Sequence, residues 1–203
     1  MIDQFINYYN KKIKKMQGVR AGGRLRALKG ELVEVLAESM IIKAWENIGG
    51  APKRIKRDKH KYDITDNKEH TYGLSQDKQV YIDEQFILSI ECKAYAEVAM
   101  YKRILVDAYL LRTKFPNLTF CLFQLESMLG GDYSEKPDHP KGSNSVYVLD
   151  YHFPNLNSEI LTLLDGERNI KKPIHKKRFY KPMVDKRVKY ALNYFEEVLR
   201  KYV

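Results

Sequence analysis

The sequence predicts an α/β fold in which a mixed central β-sheet carries a hairpin and is flanked by helices. Three observations lead there. Periodic segments follow one another as helix, hairpin, helix, strand, strand, an order that buries a sheet between helical layers. Residues 79–82 and 86–92 are short apolar runs separated by a tight polar turn, the pattern of a hairpin. Residues 118–125 are apolar enough to be buried on both faces, as a central strand is.

The remaining elements follow in chain order. Residues 1–16 place Ile2, Phe5, Ile6, Ile13 and Met16 close to helical spacing. Gly18 and the pair Gly22-Gly23 interrupt, and residues 24–48 then read as a long helix ended by Gly49-Gly50 and Pro52. Residues 51–72 are polar, charged and irregular. The hairpin turns at 83–85, and residues 94–112 predict a helix closed by Pro116. Residues 128–144 are rich in Gly, Pro, Asp and Ser and read as loop. Residues 145–153 alternate like a fourth strand, and 157–164 read as a short helix with an Asn or Ser cap. A basic loop over 165–182 leads to a final helix over 184–203. With no internal repeat and no low-complexity linker, the expectation is one domain over 1–203. Its core spans about 24–153, with the N-terminal helix 1–16 on one side and the basic loop and C-terminal helix 165–203 on the other.

Composition narrows the class. At 44% hydrophobic and 31% charged residues, the chain has the make-up of a globular domain and not of a disordered one. No apolar run approaches the roughly 18 residues that span a bilayer. The start, MIDQFINYYNKKIKKM, lacks the apolar core of a secretory signal. Cys92 and Cys121 make neither a disulfide framework nor a zinc spacing, so a reducing cytoplasm is expected. The formal net charge of +10 points to a polyanionic partner.

The chemistry concentrates in SQDKQVYIDEQFILSIECKAY. Glu91 and Lys93 are two apart on a strand and therefore share a face. On an otherwise apolar strand, burying either without a partner is costly. Asp77 and Asp83 compete as the carboxylate partner of Glu91. With the turn at 83–85, Asp83 lies at the tip, roughly 20 Å from Glu91. Asp77 returns beside Glu91 on the neighbouring strand, about 4.8 Å away. Asp77, Glu91 and the backbone carbonyl of Cys92 then offer hard oxygen ligands to Mg²⁺ next to a phosphodiester. Lys93 would orient the attacking water and offset negative charge. The Cys92 thiol points to the opposite face and has no role in the chemistry.

Asp77, thirteen intervening residues and Glu91-x-Lys93 resemble the signature of the PD-(D/E)xK nuclease superfamily, and the chain as a whole looks most like a type II restriction endonuclease. The likeness is close over the hairpin and looser over the surrounding elements. It departs at Gln76, where the family's usual residue is Pro. The family often adds a Glu from the preceding helix. Here Glu31, Glu34 and Glu38 form one stripe on a helix that is otherwise apolar nearly all round. Gly30-x-x-x-Glu34 resembles the family's helix pattern best, which makes Glu34 the expected fourth catalytic residue and Glu38 the second choice. The resemblance implies a restriction-endonuclease-like fold and a Mg²⁺-dependent, sequence-specific double-stranded DNA endonuclease that leaves 5′-phosphates. It also implies a homodimer matched to two-fold symmetric DNA. A cognate DNA methyltransferase in the same prokaryotic host would complete the system. The same core serves Holliday-junction resolvases and repair nucleases, and a basic nucleic-acid-binding module with an inert hairpin is a third reading.

Three basic runs would hold DNA through its phosphates. Arg20, Arg24 and Arg26 open the acidic helix; residues 52–61 carry six cations; and 171–181 includes Lys176, Lys177 and Arg178 beside Phe179 and Tyr180. Lys102 and Arg103, on the helix after the active strand, are expected at the backbone near the cut. The loops 130–144 and 165–182 are the candidates for reading bases.

Overall fold

The computed structural model describes residues 2–20, 22–66, 69–131, 133, 144–154, 156 and 158–203. Its hairpin consists of β4 (Lys78–Ile82) and β5 (Gln85–Glu97), joined through Asp83 and Glu84. Both turn residues have positive φ, 47° and 68°, as a two-residue hairpin turn requires. Neither is Gly, and Arg54 secures the turn by clasping the Asp83 carboxylate, with Nη2 2.6 Å from Oδ2.

β5 is the middle strand of a five-stranded sheet. On one side β4 pairs with it antiparallel, and β1 (Ile55–Asp58) pairs antiparallel with β4. On the other side β6 (Thr119–Met128) and β7 (Ser158–Thr162) continue in parallel. A separate antiparallel pair is made by β2 (Tyr62–Thr65) and β3 (Thr71–Leu74).

Helices cover both faces. One core joins the sheet to α1 (Asp3–Met16), α2 (Gly23–Asn47) and α5 (Asp185–Leu199). The other joins it to α3 (Val98–Arg112) and α4 (Asn144–His152). α1 buries Phe5, Ile13 and Met16, as its spacing predicts, together with Tyr9, while Ile2 and Ile6 are only partly buried. α2 is buried nearly all round, from Leu32 to Trp45. It ends at Gly49, whose φ of 82° suits a glycine cap. The next residue, Gly50, donates its N–H to the Trp45 carbonyl at 2.9 Å and lies flush against the indole. Among the described residues no helix is long and apolar enough to cross a membrane.

Four expectations are corrected. Residues 145–153 form helix α4 and not a strand. Val146, Leu149 and Phe153 fall at i, i+3 and i+7, so the apparent alternation of SVYVLDYHF concealed a helical stripe facing the second core. The short helix expected over 157–164 is strand β7, whose Ile160 and Leu161 enter opposite cores. A short apolar run buried on both faces carries no period to tell the two apart. The stretch 51–72 is not irregular: it holds β1, β2 and the start of β3. β1 is an edge strand whose Lys56, Arg57 and Asp58 are exposed, and such charges blunt an edge against further pairing. Finally, the helix expected from residue 94 starts at Val98, because β5 runs on to Glu97 beside β6.

Candidate active site

The register Lys78↔Ile90 brings Asp77, one residue before β4, back beside Glu91. Asp77 Oδ2 accepts the backbone N–H of Cys92 at 2.9 Å and a bond from Lys93 Nζ at 2.9 Å. The same ammonium lies 2.5 Å from Glu91 Oε1 and donates to the Cys92 carbonyl at 3.2 Å. One cation therefore touches both carboxylates and the carbonyl. Asp83 stands at the other end of the hairpin, bound to Arg54.

Burial alone would lower the pKa of Lys93, but Glu91 and then Asp77 outweigh it and hold the ammonium above its ordinary value. It therefore stays charged at neutral pH. Glu91 is only 7% exposed and has a second counter-ion, Arg103 of α3, with Nη2 3.1 Å from the same Oε1. Arg103 is itself 60% exposed, so its other donors face solvent beside the carboxylate. Lys102, its neighbour on α3, is exposed. The Cys92 side chain is packed in the core, where burial, and then Asp77 and Glu34, push its thiol well up. Its backbone alone faces the site.

The acidic stripe of α2 divides among three partners. Glu31 pairs with Lys12 at 2.7 Å. Glu34 and Glu38 converge on Lys78 at 3.5 and 3.1 Å, and Glu38 also binds Arg57 at 3.1 Å. Glu34 thus reaches the residue next to Asp77 and not the Lys93 ammonium. Lys78, which sequence reasoning passed over, is the bridge. Its position directly after Asp77 was the available signal. Burial would lower the pKa of Lys78, and Glu38 and Glu34 raise it past its ordinary value.

Among the described residues, no three Asp, Glu, His or Cys side chains gather into a ready metal cage. Two carboxylates and a carbonyl converging on one cation do fit an ion of the Mg²⁺ type, which prefers oxygen and keeps several waters or substrate oxygens as ligands.

The expected DNA-binding residues lie on the surface. Arg20, Arg24 and Arg26 are exposed at the start of α2. Lys176, Lys177 and Arg178 are exposed along the 165–182 segment, with the Arg178 guanidinium 4.6 Å from the Phe179 ring centroid. The 52–61 run behaves differently, because Arg54, Lys56 and Arg57 are paired with Asp83, Glu84 and Glu38. Most of the 130–144 loop falls outside the described residues.

No family model matches the chain. Among solved structures, the tetramer of BbvCI covers 97% of this chain and 88% of its own, at 9% identity and a TM-score of 0.44; a likeness that distant carries no argument. The type II restriction enzyme DdeI of Desulfomicrobium norvegicum is 42% identical over 199 residues, covering 88% of this chain and 83% of the relative. Identity at that level over that share of both proteins shows kinship, and the chain belongs to the family of the type II restriction enzyme DdeI.

Proposed function

We propose that this sequence-specific DNA endonuclease is Mg²⁺-dependent and cuts through Asp77, Glu91, Lys93 and the carbonyl of Cys92. The observation that carries the reading is the single Lys93 ammonium held by both carboxylates and that carbonyl. A divalent ion at these oxygens would acidify a water and stabilise charge on the phosphate being cut.

The protein's own groups have separable tasks. The Cys92 N–H fixes the Asp77 carboxylate in place. Glu91 is held by its strand and by Arg103. Lys93 stays charged and would orient the attacking water while offsetting charge on the phosphate. Arg103 and Lys102 would meet the DNA backbone beside the cut. Glu34 would act through Lys78, with Glu38 in the same pair of contacts. Arg20, Arg24, Arg26, Lys176, Lys177 and Arg178 would hold phosphates farther out.

The product would carry a 5′-phosphate. The active species would be a homodimer, since two-fold symmetric DNA is cut by two related sites. A DNA methyltransferase of a prokaryotic host would protect the same sequence in that host's cytoplasm.

Incubation with phage DNA and Mg²⁺, followed by gel electrophoresis, tests the reading. Sharp bands are the expected result. A smear would mean a nuclease without sequence preference, and intact DNA would point to a junction resolvase or a binding module. The site assignment is tested by Asp77→Asn, Glu91→Gln and Lys93→Ala, each of which should stop cleavage and keep DNA binding. Normal cutting by all three would refute it.

A further inference from the structure

Lys29 of α2 comes within electrostatic reach of Arg168 and His175, from the far end of the chain, at a place none of the assignments above uses. The segment after β7 returns over the end of β6. There the Arg168 N–H donates to the Ser127 carbonyl at 2.7 Å, and Ser127 and Glu167 form a parallel bridge. Beneath it lies Glu126, only 2% exposed. Lys181 neutralises that carboxylate at 3.0 Å and is itself satisfied by the carbonyls of Glu167 and Gly166.

Around this closed pair stand donors with no hydrogen-bonded anion among the described residues. Lys29 of α2 is half-buried within electrostatic reach of Glu126 and Arg168, and among the described residues it has no hydrogen bond or ion pair. The Arg168 guanidinium lies 3.5 Å from the centroid of the Tyr95 ring and donates to the Met128 sulfur at 3.3 Å. Among the described residues, His175 Nδ1 is buried without a hydrogen-bond partner. Burial, opposed by Glu126 and aided by Arg168, lowers the pKa of Lys29. Burial, then Lys29 and Lys176, lowers that of His175. Lys181 and Lys29 both draw on the one buried carboxylate of Glu126, with Arg168 opposing, so the charged form of Lys29 is disfavoured in the free protein.

We propose that Lys29, Arg168 and His175 form a binding recess for one backbone phosphodiester of the DNA, next to the phosphate that is cut. An ammonium, a planar guanidinium fork and an imidazole N–H are all donors, and a phosphate supplies only acceptors. The position agrees: Tyr95, which carries the guanidinium, follows Lys93 by two residues, about 6–7 Å along β5. That step suits a neighbouring phosphate on the same strand. The inference rests on the endonuclease reading and adds the residues and the phosphate to it.

The test is fluorescence anisotropy of a labelled duplex of arbitrary sequence, without divalent cation, over a salt series. Lys29→Met and Arg168→Gln should each weaken binding several-fold. Each should also reduce the slope of log affinity against log salt by about 0.9, the signature of one lost phosphate contact. Lys43→Met, on the same helix but paired with Glu46, is the charge control and should leave the slope unchanged. Wild-type slopes in both variants, with a lowered melting temperature for Lys29→Met, would mean that Lys29 only balances Glu126, and would overturn the recess while leaving the nuclease intact. A wild-type protein that neither binds nor cuts duplex would sink the endonuclease reading itself.

Discussion

The ammonium of Lys93 lies 2.9 Å from Asp77 Oδ2, although sixteen positions separate them in the chain. A two-residue turn and an antiparallel register close that gap, and the same register puts Glu91 against the same nitrogen. Lys93 is thus the cation that makes two adjacent carboxylates tolerable, and in the proposed chemistry it is also the group that would act on a water beside them.

Removing either carboxylate should separate binding from cutting. Asp77→Asn and Glu91→Gln keep size and hydrogen-bonding capacity but lose charge. Single-turnover cleavage in excess enzyme should fall by about 10²-fold or more. Duplex affinity measured by anisotropy should stay within a few-fold of wild type. Equal losses in both measurements would show that these residues hold DNA and do not act on it.

Lys93→Met should unmask the repulsion between Asp77 and Glu91. Glu91 is nearly buried and would keep only Arg103, so stability to urea should fall by about 1–3 kcal/mol. Divalent cation should restore more stability to the variant than to wild type, because it would bind where the ammonium was lost. Denaturant melts with and without Mg²⁺ check this, and an equal rise in both proteins would count against a metal at these oxygens.

Both cysteines should be silent until the protein unfolds. Burial first, then Asp77 and Glu34, raises Cys92; burial, then Glu159, raises Cys121. A thiol raised in the folded state contributes stability that is fully present below its ordinary pKa, and that contribution is lost as pH rises above it. Unfolding free energy should therefore decline above pH of about 9, by up to about 1.4 kcal/mol per unit for each thiol. Iodoacetamide should label neither residue in the native protein at pH 8. Rapid native labelling of Cys92 would place its side chain in the site and not in the core.

Gly50→Ala should loosen the end of α2. An added methyl would fall 2.1 Å from Trp45 Cε2, and the indole is fixed by its bond to the Ala51 carbonyl at 3.0 Å. The expected cost is about 1–3 kcal/mol in urea melts, with a shift in tryptophan fluorescence, since Trp45 is the chain's single Trp. An unchanged midpoint would mean that the loop after α2 gives way without strain.

Elements with a strong local signal were legible from the sequence. The stripe of Phe5, Ile13 and Met16, the all-round burial of α2 and the hairpin of β4 and β5 each follow from periods or turn residues within a few positions. Residues 145–164 were read the wrong way round, strand for helix and helix for strand. Both are short, and only the neighbours they pack against settle which face is buried. Edge strand β1 was missed because its exposed charges carry no apolar alternation.

The site divides in the same way. The sequence by itself placed the proposed catalytic residues together, because strand alternation and hairpin return bring Asp77, Glu91 and Lys93 within one local geometry. Only the tertiary structure decided what lies beyond the hairpin: that Arg103 shares Glu91 with Lys93, that Lys78 intercepts Glu34, and that Lys29 comes within electrostatic reach of Arg168 across most of the chain. Those contacts join separate elements across the sheet and its helices, and no spacing along the chain encodes which charges packing brings within reach.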